Sequence, residues 1–344
     1  MIEIILGLPH LSAGAILDRA RLLQQPVLIS ANALSRWTRK AGWAQWRGWK
    51  TAQLDNASGL PSVDLDSGGF VCAARYGGIP WSVDQYMALA AAYPFRRFAS
   101  LDYCVEPEIA RDREEILDRI SRTIRANRDC RARAMDLGII DRFMPVIQGR
   151  TPEDYERCVD ALAWSLVPGT IIGVGSMCRR DIHGPEGLMA VIEHLDTILP
   201  AGIRLHAFGV KGAALPFLTA FSARVASIDS QAYGIAARRD AYRRCVPKSD
   251  IMVADHLERW LRAQQARLTE KGRTTFAPRR PILQATPTNP WDAAIAQARR
   301  EIRSLIETGD LEHDALTQAW IEPWAADLMT QALSHRSHSA GALR

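Results

Sequence analysis

Three aspartates in this sequence each close a short apolar run. VDLD ends at Asp66, FASLD at Asp102 and VASID at Asp229. A carboxylate set directly after an apolar strand is costly to bury unless it is paired or hydrogen-bonded. One such aspartate is ordinarily a helix N-cap. Three of them, with Gln148-Gly149 after FMPVI and glycine turns at Gly68-Gly69, Gly173–Ser176 and Gly209, argue for a shared site. The chemistry open to this set is glycosidic. Two carboxylates can serve as nucleophile and general acid/base at an anomeric carbon, through an oxocarbenium-like transition state. A third carboxylate and a carboxamide can read the edge of a planar base. The carboxylate accepts from ring N–H and exocyclic NH2 groups, as guanine presents them, while Gln148 donates to a carbonyl and accepts elsewhere. Glycine turns let backbone N–H groups approach a flat ligand, and Phe70 and Phe208 can stack on its two faces.

The elements that must position these residues follow from periodicity. Seven short apolar runs read as strands: Pro26–Ser30, Val63–Asp66, Phe98–Asp102, Phe143–Gln148, Thr170–Val174, Arg204–Val210 and Val225–Asp229. They are bounded by Gly, Pro or polar turns and separated by amphipathic stretches such as Glu108–Leu137, Pro152–Leu166 and Gly187–Ile198. Alternation of strand and helix predicts a parallel sheet. The spacing fits an α/β (β/α)8 TIM-type barrel, whose active site lies at the C-terminal ends of the strands. No GxGxxG follows the first strand, which counts against a dinucleotide-binding sheet. The eighth strand is either 247–253 or Ile2–Leu6. We expect the barrel to occupy residues 1–250 and a C-terminal helical appendage residues 251–344. The appendage comprises helices over Asp255–Glu270, Trp291–Glu307 and Asp310–Ser334, with a Pro-rich linker at 276–290.

The motifs DSGGF at Asp66–Phe70, VIQG at Val146–Gly149, FGV at Phe208–Val210 and the strand-terminal Asp229, in that order, resemble the tRNA-guanine transglycosylase superfamily. Asp102 with Cys104 also resembles that family's third strand. The resemblance spans about two thirds of the chain, Pro26 to Arg244. It implies exchange of guanine for a 7-deazaguanine in a polynucleotide. It further implies Asp229 as the nucleophile that attacks C1′ and Asp66 as the general acid/base. Ser67, Phe70, Asp102, Cys104, Gln148, Gly149, Gly175, Ser176 and Phe208 would bind the base. The superfamily's zinc site uses CxCxxC and a later His, whereas Cys245 and His256 stand alone here, so no zinc or other cofactor is expected. The stretches Ser30–Ser35, Leu101–Glu108 and Ser227–Tyr233 look more like the DpdA branch, which inserts a base such as preQ0 into DNA. DNA is therefore the expected partner. Exchange on tRNA, and a non-catalytic nucleic-acid-binding barrel subunit, are the alternatives. A homo-oligomer or accessory modification proteins are further possible partners.

Composition supports a globular protein: 344 residues, 47% hydrophobic, 24% charged and net +5. Lys occurs at five positions and Arg supplies the other 38 cations; Arg suits bidentate phosphate contacts. Lys211 sits at a strand end, and Arg238, Arg239, Arg243 and Arg244 follow Asp229 closely, so these are the expected phosphate contacts. The segment Ser35–Thr51 interleaves Trp37, Trp43, Trp46 and Trp49 with Arg and Lys. It reads either as a strand-gripping surface or as a helix–loop whose tryptophans pack on the barrel. Six cysteines without a CxxC or CxC pair point to neither a disulfide framework nor a compact zinc site. His183, His206 and His256 lack metal spacing and read as structural. Ile2–Leu8 is too short, and lacks the basic flank, for a signal peptide. No run is long enough for a membrane helix. A cytoplasmic protein is the expectation.

Overall fold

A computed structural model describes residues 1–40, 43–269 and 289–341, without the side chains of residues 39–44 and 331–341. The chain divides into two compact units, Met1–Arg279 and Arg280–Arg344.

The first unit is a parallel barrel. Its strands are β1 (Glu3–Leu8), β2 (Val27–Ser30), β5 (Val63–Asp66), β6 (Arg97–Ala99), β7 (Phe143–Met144), β8 (Val146–Ile147), β9 (Ile171–Val174), β10 (Arg204–Ala207) and β11 (Val225–Ser230). Hydrogen bonding orders them β7-β6-β5-β2-β1-β11-β10-β9-β8. The two ends of that list, β7 and β8, are consecutive in sequence and parted only by Pro145, so nine strands form an eight-membered ring. The resemblance's (β/α)8 barrel is thus present, and β1 is its missing strand. The other candidate for that place, 247–253, instead enters helix α9 (Asp250–Arg267), whose first turn is capped by Ser249 Oγ accepting from the Met252 N–H at 3.2 Å.

Helices α1 (Ala15–Leu23), α2 (Gly69–Tyr76), α3 (Val83–Ala91), α4 (Arg113–Asp136), α5 (Pro152–Ala161), α6 (Leu188–Ile198), α7 (Leu215–Leu218) and α8 (Ala232–Arg243) follow the strands, and α9 (Asp250–Arg267) follows α8. The helix expected from Glu108 begins only at Arg113. Residues 107–109 form a turn instead, closed by the Ala110 N–H donating to the Glu106 carbonyl at 2.9 Å, and Asp112 caps the helix through the Glu115 N–H at 2.8 Å. Helix α9, placed in the appendage by sequence, lies in the first unit: Val253, Leu257 and Leu261 join the barrel's apolar core. Its Asp255 and Glu258 pair with Arg19 of α1 at 3.1 and 2.5 Å. The second unit pairs α10 (Pro290–Thr308) with α11 (Gln318–Gly341) around Ala298, Ile302, Ile306 and Ala325. The expected linker 276–290 lies outside the described residues except for Asn289 and Pro290, which begin α10.

Residues 35–49 form neither a helix nor a loop but an antiparallel hairpin, β3 (Ser35–Lys40) and β4 (Trp43–Trp49). Trp37 stacks on Tyr76 of α2 at 3.8 Å, and Trp46 and Trp49 cluster with Trp81. These indoles therefore pack inward, while Arg36 and Arg47 stay exposed. The side chain of Trp43 lies outside the described residues.

Opposite the mouth, buried Asp64 accepts bidentately from Arg96 (2.8 and 2.7 Å) and from Arg97 (2.7 Å). Burial alone would raise the Asp64 pKa, but the two guanidiniums outweigh it and hold the carboxyl below its ordinary value. At the mouth side, Pro145 offers no N–H to the ladder. Asn127 of α4 repairs the break: its carboxamide donates to the Val146 carbonyl and accepts from the Val146 N–H, both at 2.9 Å. Asn127 is fully buried, and Gln148 follows two residues on. Asn127→Leu is expected to cost about 2–4 kcal/mol, the penalty for orphaning two buried backbone groups. Urea denaturation would measure it.

Candidate active site

The barrel's parallel sense delivers the chemistry to one rim. Asp66 ends β5, Asp102 lies three residues past β6, Gln148 follows β8, Ser176 lies just past β9, Phe208 follows β10, and Asp229 is the penultimate residue of β11. The strands expected to run to Asp102 and Val210 stop earlier, so Asp102 and Phe208 sit on loops at the rim. Register aligns the set further: Ser30 pairs with Asp66, and Ile5 with Asp229.

Asp66 is partly buried, with Oδ2 accepting from the Gly68 N–H at 3.0 Å. Its pKa is raised from 3.8 to about 7, first by burial and then by the charges of Asp102 and Asp229. The Gly68 N–H and the Ser30 hydroxyl pull the other way. The three aspartates thus share one electrostatic environment. Asp102 is buried, and its two oxygens are claimed separately: the Ser67 hydroxyl donates to Oδ1 and Gln148 Nε2 donates to Oδ2. Burial raises its pKa to about 6; Ser67 and Gln148 oppose that rise, and Glu106 adds to it.

The hydrogen-bonded line continues beyond Gln148. Ser176 Oγ accepts from the Val105 N–H at 2.8 Å. Its single proton serves either Gln148 Oε1 at 2.7 Å or Glu106 Oε2 at 3.0 Å. Ser176 holds a left-handed backbone, φ 53°, a strained conformation of the kind found at functional sites. Glycines permit the close packing. A Cβ on Gly69 would lie 2.5 Å from the Asp102 carbonyl oxygen, and a Cβ on Gly175 would collide with the Gln148 carboxamide. Gly149 offers its carbonyl to Arg180 at 2.8 Å. Cys104 is buried, and burial with the nearby Glu106 and Asp102 charges pushes its thiol well above the ordinary value, so it stays protonated. It lies beside Glu106 and Asp102, and a protonated thiol is a poor nucleophile.

Phe70, in the first turn of α2, lies under Arg179, whose guanidinium carbon is 5.1 Å from the ring centroid and which also pairs with Glu108 at 2.7 Å. Lys211 is at the rim, with Nζ 3.4 Å from the Arg179 carbonyl oxygen. The arginines after Asp229 are exposed but are not gathered at the rim. Helix α8 starts there and runs back along the barrel. Arg238 and Arg239 lie partway down, and Arg243 ends the helix roughly 16 Å from its start. Arg244 also pairs with Asp240 at 3.6 Å.

Two residues that the sequence reading passed over, Glu106 and Arg179, belong to this rim, as does His206, which that reading took as structural. His206 is fully buried, with Nδ1 2.8 Å from Ser227 Oγ and Nε2 3.4 Å from Asp229 Oδ1. Alternation would have found it, since His206 and Phe208 share one strand face, as do Ser227 and Asp229. Where the superfamily would hold zinc, Cys245 is exposed and His256 is 3.2 Å from Asp240. Among the described residues no group of three or more His, Cys, Asp or Glu could hold a metal, so these residues do not fit that site. No helix among them is long and apolar enough to cross a membrane.

Both carboxyls with raised pKa values hold protons in the fold that the unfolded chain releases. Their contribution to stability is present near pH 4 and is lost as pH rises through about 6 and 7. Asp66→Asn is therefore expected to raise the urea midpoint at pH 8 and to change it little at pH 4. Asp102→Asn removes a like charge, so carboxyl NMR should show the Asp66 midpoint falling below 7.

Comparison with known proteins places this geometry in context. The family model DpdA, described as DeoxyPurine in DNA protein A, matches residues 35–299. No curated protein matches the chain.

Proposed function

The chain belongs to the DpdA family of DNA-modifying transglycosylases and is a base-exchanging glycosyltransferase; on that premise we propose that it replaces guanine in DNA with a 7-deazaguanine through a covalent Asp229 intermediate. The observation that carries this reading is the convergence of Asp66, Asp102 and Asp229 at one rim, close enough for two of them to perturb the third.

Asp102 accepts from guanine N1–H and the exocyclic NH2, in place of Ser67 and Gln148. Gln148, released to turn its Nε2, donates to the base carbonyl. Phe70 and Phe208 stack on the ring faces. One oxygen of Asp229 attacks C1′ of the deoxyribose as the C1′–N9 bond breaks. The bonding electrons leave with the base, which takes a proton from Asp66, and an Asp229–C1′ ester remains. The incoming deazaguanine then gives its ring N–H proton to Asp66 and attacks C1′, expelling the Asp229 carboxylate. A carboxyl whose pKa lies near 7 suits this two-way proton traffic.

A cavity of about 360 Å3 adjoins Ser176 and is lined by Glu106, Arg150, Arg179 and Arg180 among others. It lies past Ser176, whose hydroxyl is 2.7 Å from Gln148 Oε1, and in a base whose carbonyl meets Gln148 the 7-position is on the carbonyl side of the ring. We assign it to the 7-substituent, of which the nitrile of preQ0 is one example. Lys211 and Arg179 at the rim, and the exposed Arg36 and Arg47 of the hairpin, supply cations for phosphates. Arg238 and Arg239 can extend that track down α8. A base within a duplex is out of reach of a barrel mouth, so the target nucleotide must be flipped out or already unpaired.

Exchange of labelled guanine into DNA, measured beside a tRNA control, tests the polymer. We expect incorporation into DNA, and labelling of tRNA alone would refute this assignment. Asp229→Asn should abolish both exchange and the DNA–protein adduct seen on denaturing gels. The same assay with preQ0 as the incoming base should release guanine stoichiometrically.

A further inference from the structure

We propose that His206 is a positioning residue for Asp229, fixing Oδ1 so that Oδ2 is the oxygen that attacks C1′. The proposal rests on Asp229 being the nucleophile and adds how its carboxylate is aimed.

Two donors converge on the same oxygen. The Gly209 N–H donates to Asp229 Oδ1 at 2.9 Å, and His206 Nε2 lies 3.4 Å from that atom. Strand register brings His206 there, because His206 of β10 pairs with Ser227 of β11, two residues before Asp229 on the same face. Ser227 also sets the tautomer. Its hydroxyl is 2.8 Å from His206 Nδ1. If Ser227 donates to Nδ1, the ring proton sits on Nε2 and faces the carboxylate. Nε2 is buried and makes no hydrogen bond in this structure; Asp229 Oδ1, 3.4 Å away, is the acceptor within its reach. The ring is held edge-on by Phe208, with centroids 4.5 Å apart.

The arrangement assigns the two oxygens different work. Oδ1 becomes the carbonyl oxygen of the glycosyl ester and keeps its donors throughout. Oδ2 forms the bond to C1′ in the first half-reaction and receives the electron pair back when the second base attacks. Because His206 also touches Phe208, seating a base against that ring and aligning the nucleophile become linked events.

His206→Phe preserves the ring's shape and removes its donor. Single-turnover formation of the DNA–Asp229 adduct is expected to slow roughly 10–100-fold, the usual scale for a misaligned reacting group. The KM for guanine and the DNA affinity should stay within about 2-fold. His206→Gln, which keeps a donor of similar reach, should recover part of the rate. Ser227→Ala, a smaller change, should slow the same step less. The Ser227→Ala/His206→Phe double variant should be no slower than His206→Phe alone, since the hydroxyl acts only through the ring. Adduct formation within 2-fold of wild type in folded His206→Phe would overturn the proposal, as would losses that simply add in the double variant. If instead Asp229→Asn still forms adduct and exchanges guanine, the nucleophile assignment itself fails, a separate outcome.

Discussion

Three carboxylates crowded into one water-poor barrel mouth are the constraint around which this molecule is organised. In a medium of low polarity like charges interact strongly, and each ionised aspartate raises the cost of ionising its neighbours. The protein resolves this by giving each a different environment. Asp102 is tied to Ser67 and Gln148, Asp229 receives the Gly209 N–H, and Asp66 is left with little more than the Gly68 N–H. Asp66 accordingly carries a larger pKa rise than Asp102. Environments that differ in this way allow similar side chains to do different chemical work.

Holding such a set together requires a rigid frame, and the barrel supplies it through backbone pairing more than through side-chain packing at the rim. The residues sit at strand ends whose register is fixed by parallel ladders on both sides. Where the ladder fails, at Pro145, the buried Asn127 carboxamide takes its place. At the other end of the barrel, Asp64 joins Arg96 and Arg97, so buried charge there is neutralised, in contrast to the mouth. The contrast fits a division of labour in which one rim is stable and the other is reactive.

Much of this was legible in the chain. The apolar runs ending in Asp66, Asp102 and Asp229 located both the strands and the site, because a carboxylate after an apolar strand marks the point where the chain leaves the core. Less legible was anything that depends on which strands are neighbours. Ile2–Leu6 and 247–253 were equally plausible as the eighth strand, and ring closure favoured the first. The tryptophan segment reads either as a ligand surface or as a helix–loop packed on the barrel; the indoles do pack, on Tyr76 and Trp81, but from a hairpin, whose strand pairing no local pattern announced. The arginines of α8 are near Asp229 in sequence, but a helix following a barrel strand runs away from the mouth. Proximity along the chain therefore overstated proximity in space.

The sequence by itself determined the strand–helix alternation, the identity of the rim residues and the kind of chemistry they can perform, since all of these follow from local pattern and side-chain type. Only the tertiary structure decided how those residues are coupled: that Asp102 and Asp229 act on Asp66, that Glu106 extends the line beyond Ser176, and that His206 reaches Asp229. The physical reason is that coupling depends on distances across the ring. Those distances are set by register between strands far apart in the chain, and no local pattern encodes them.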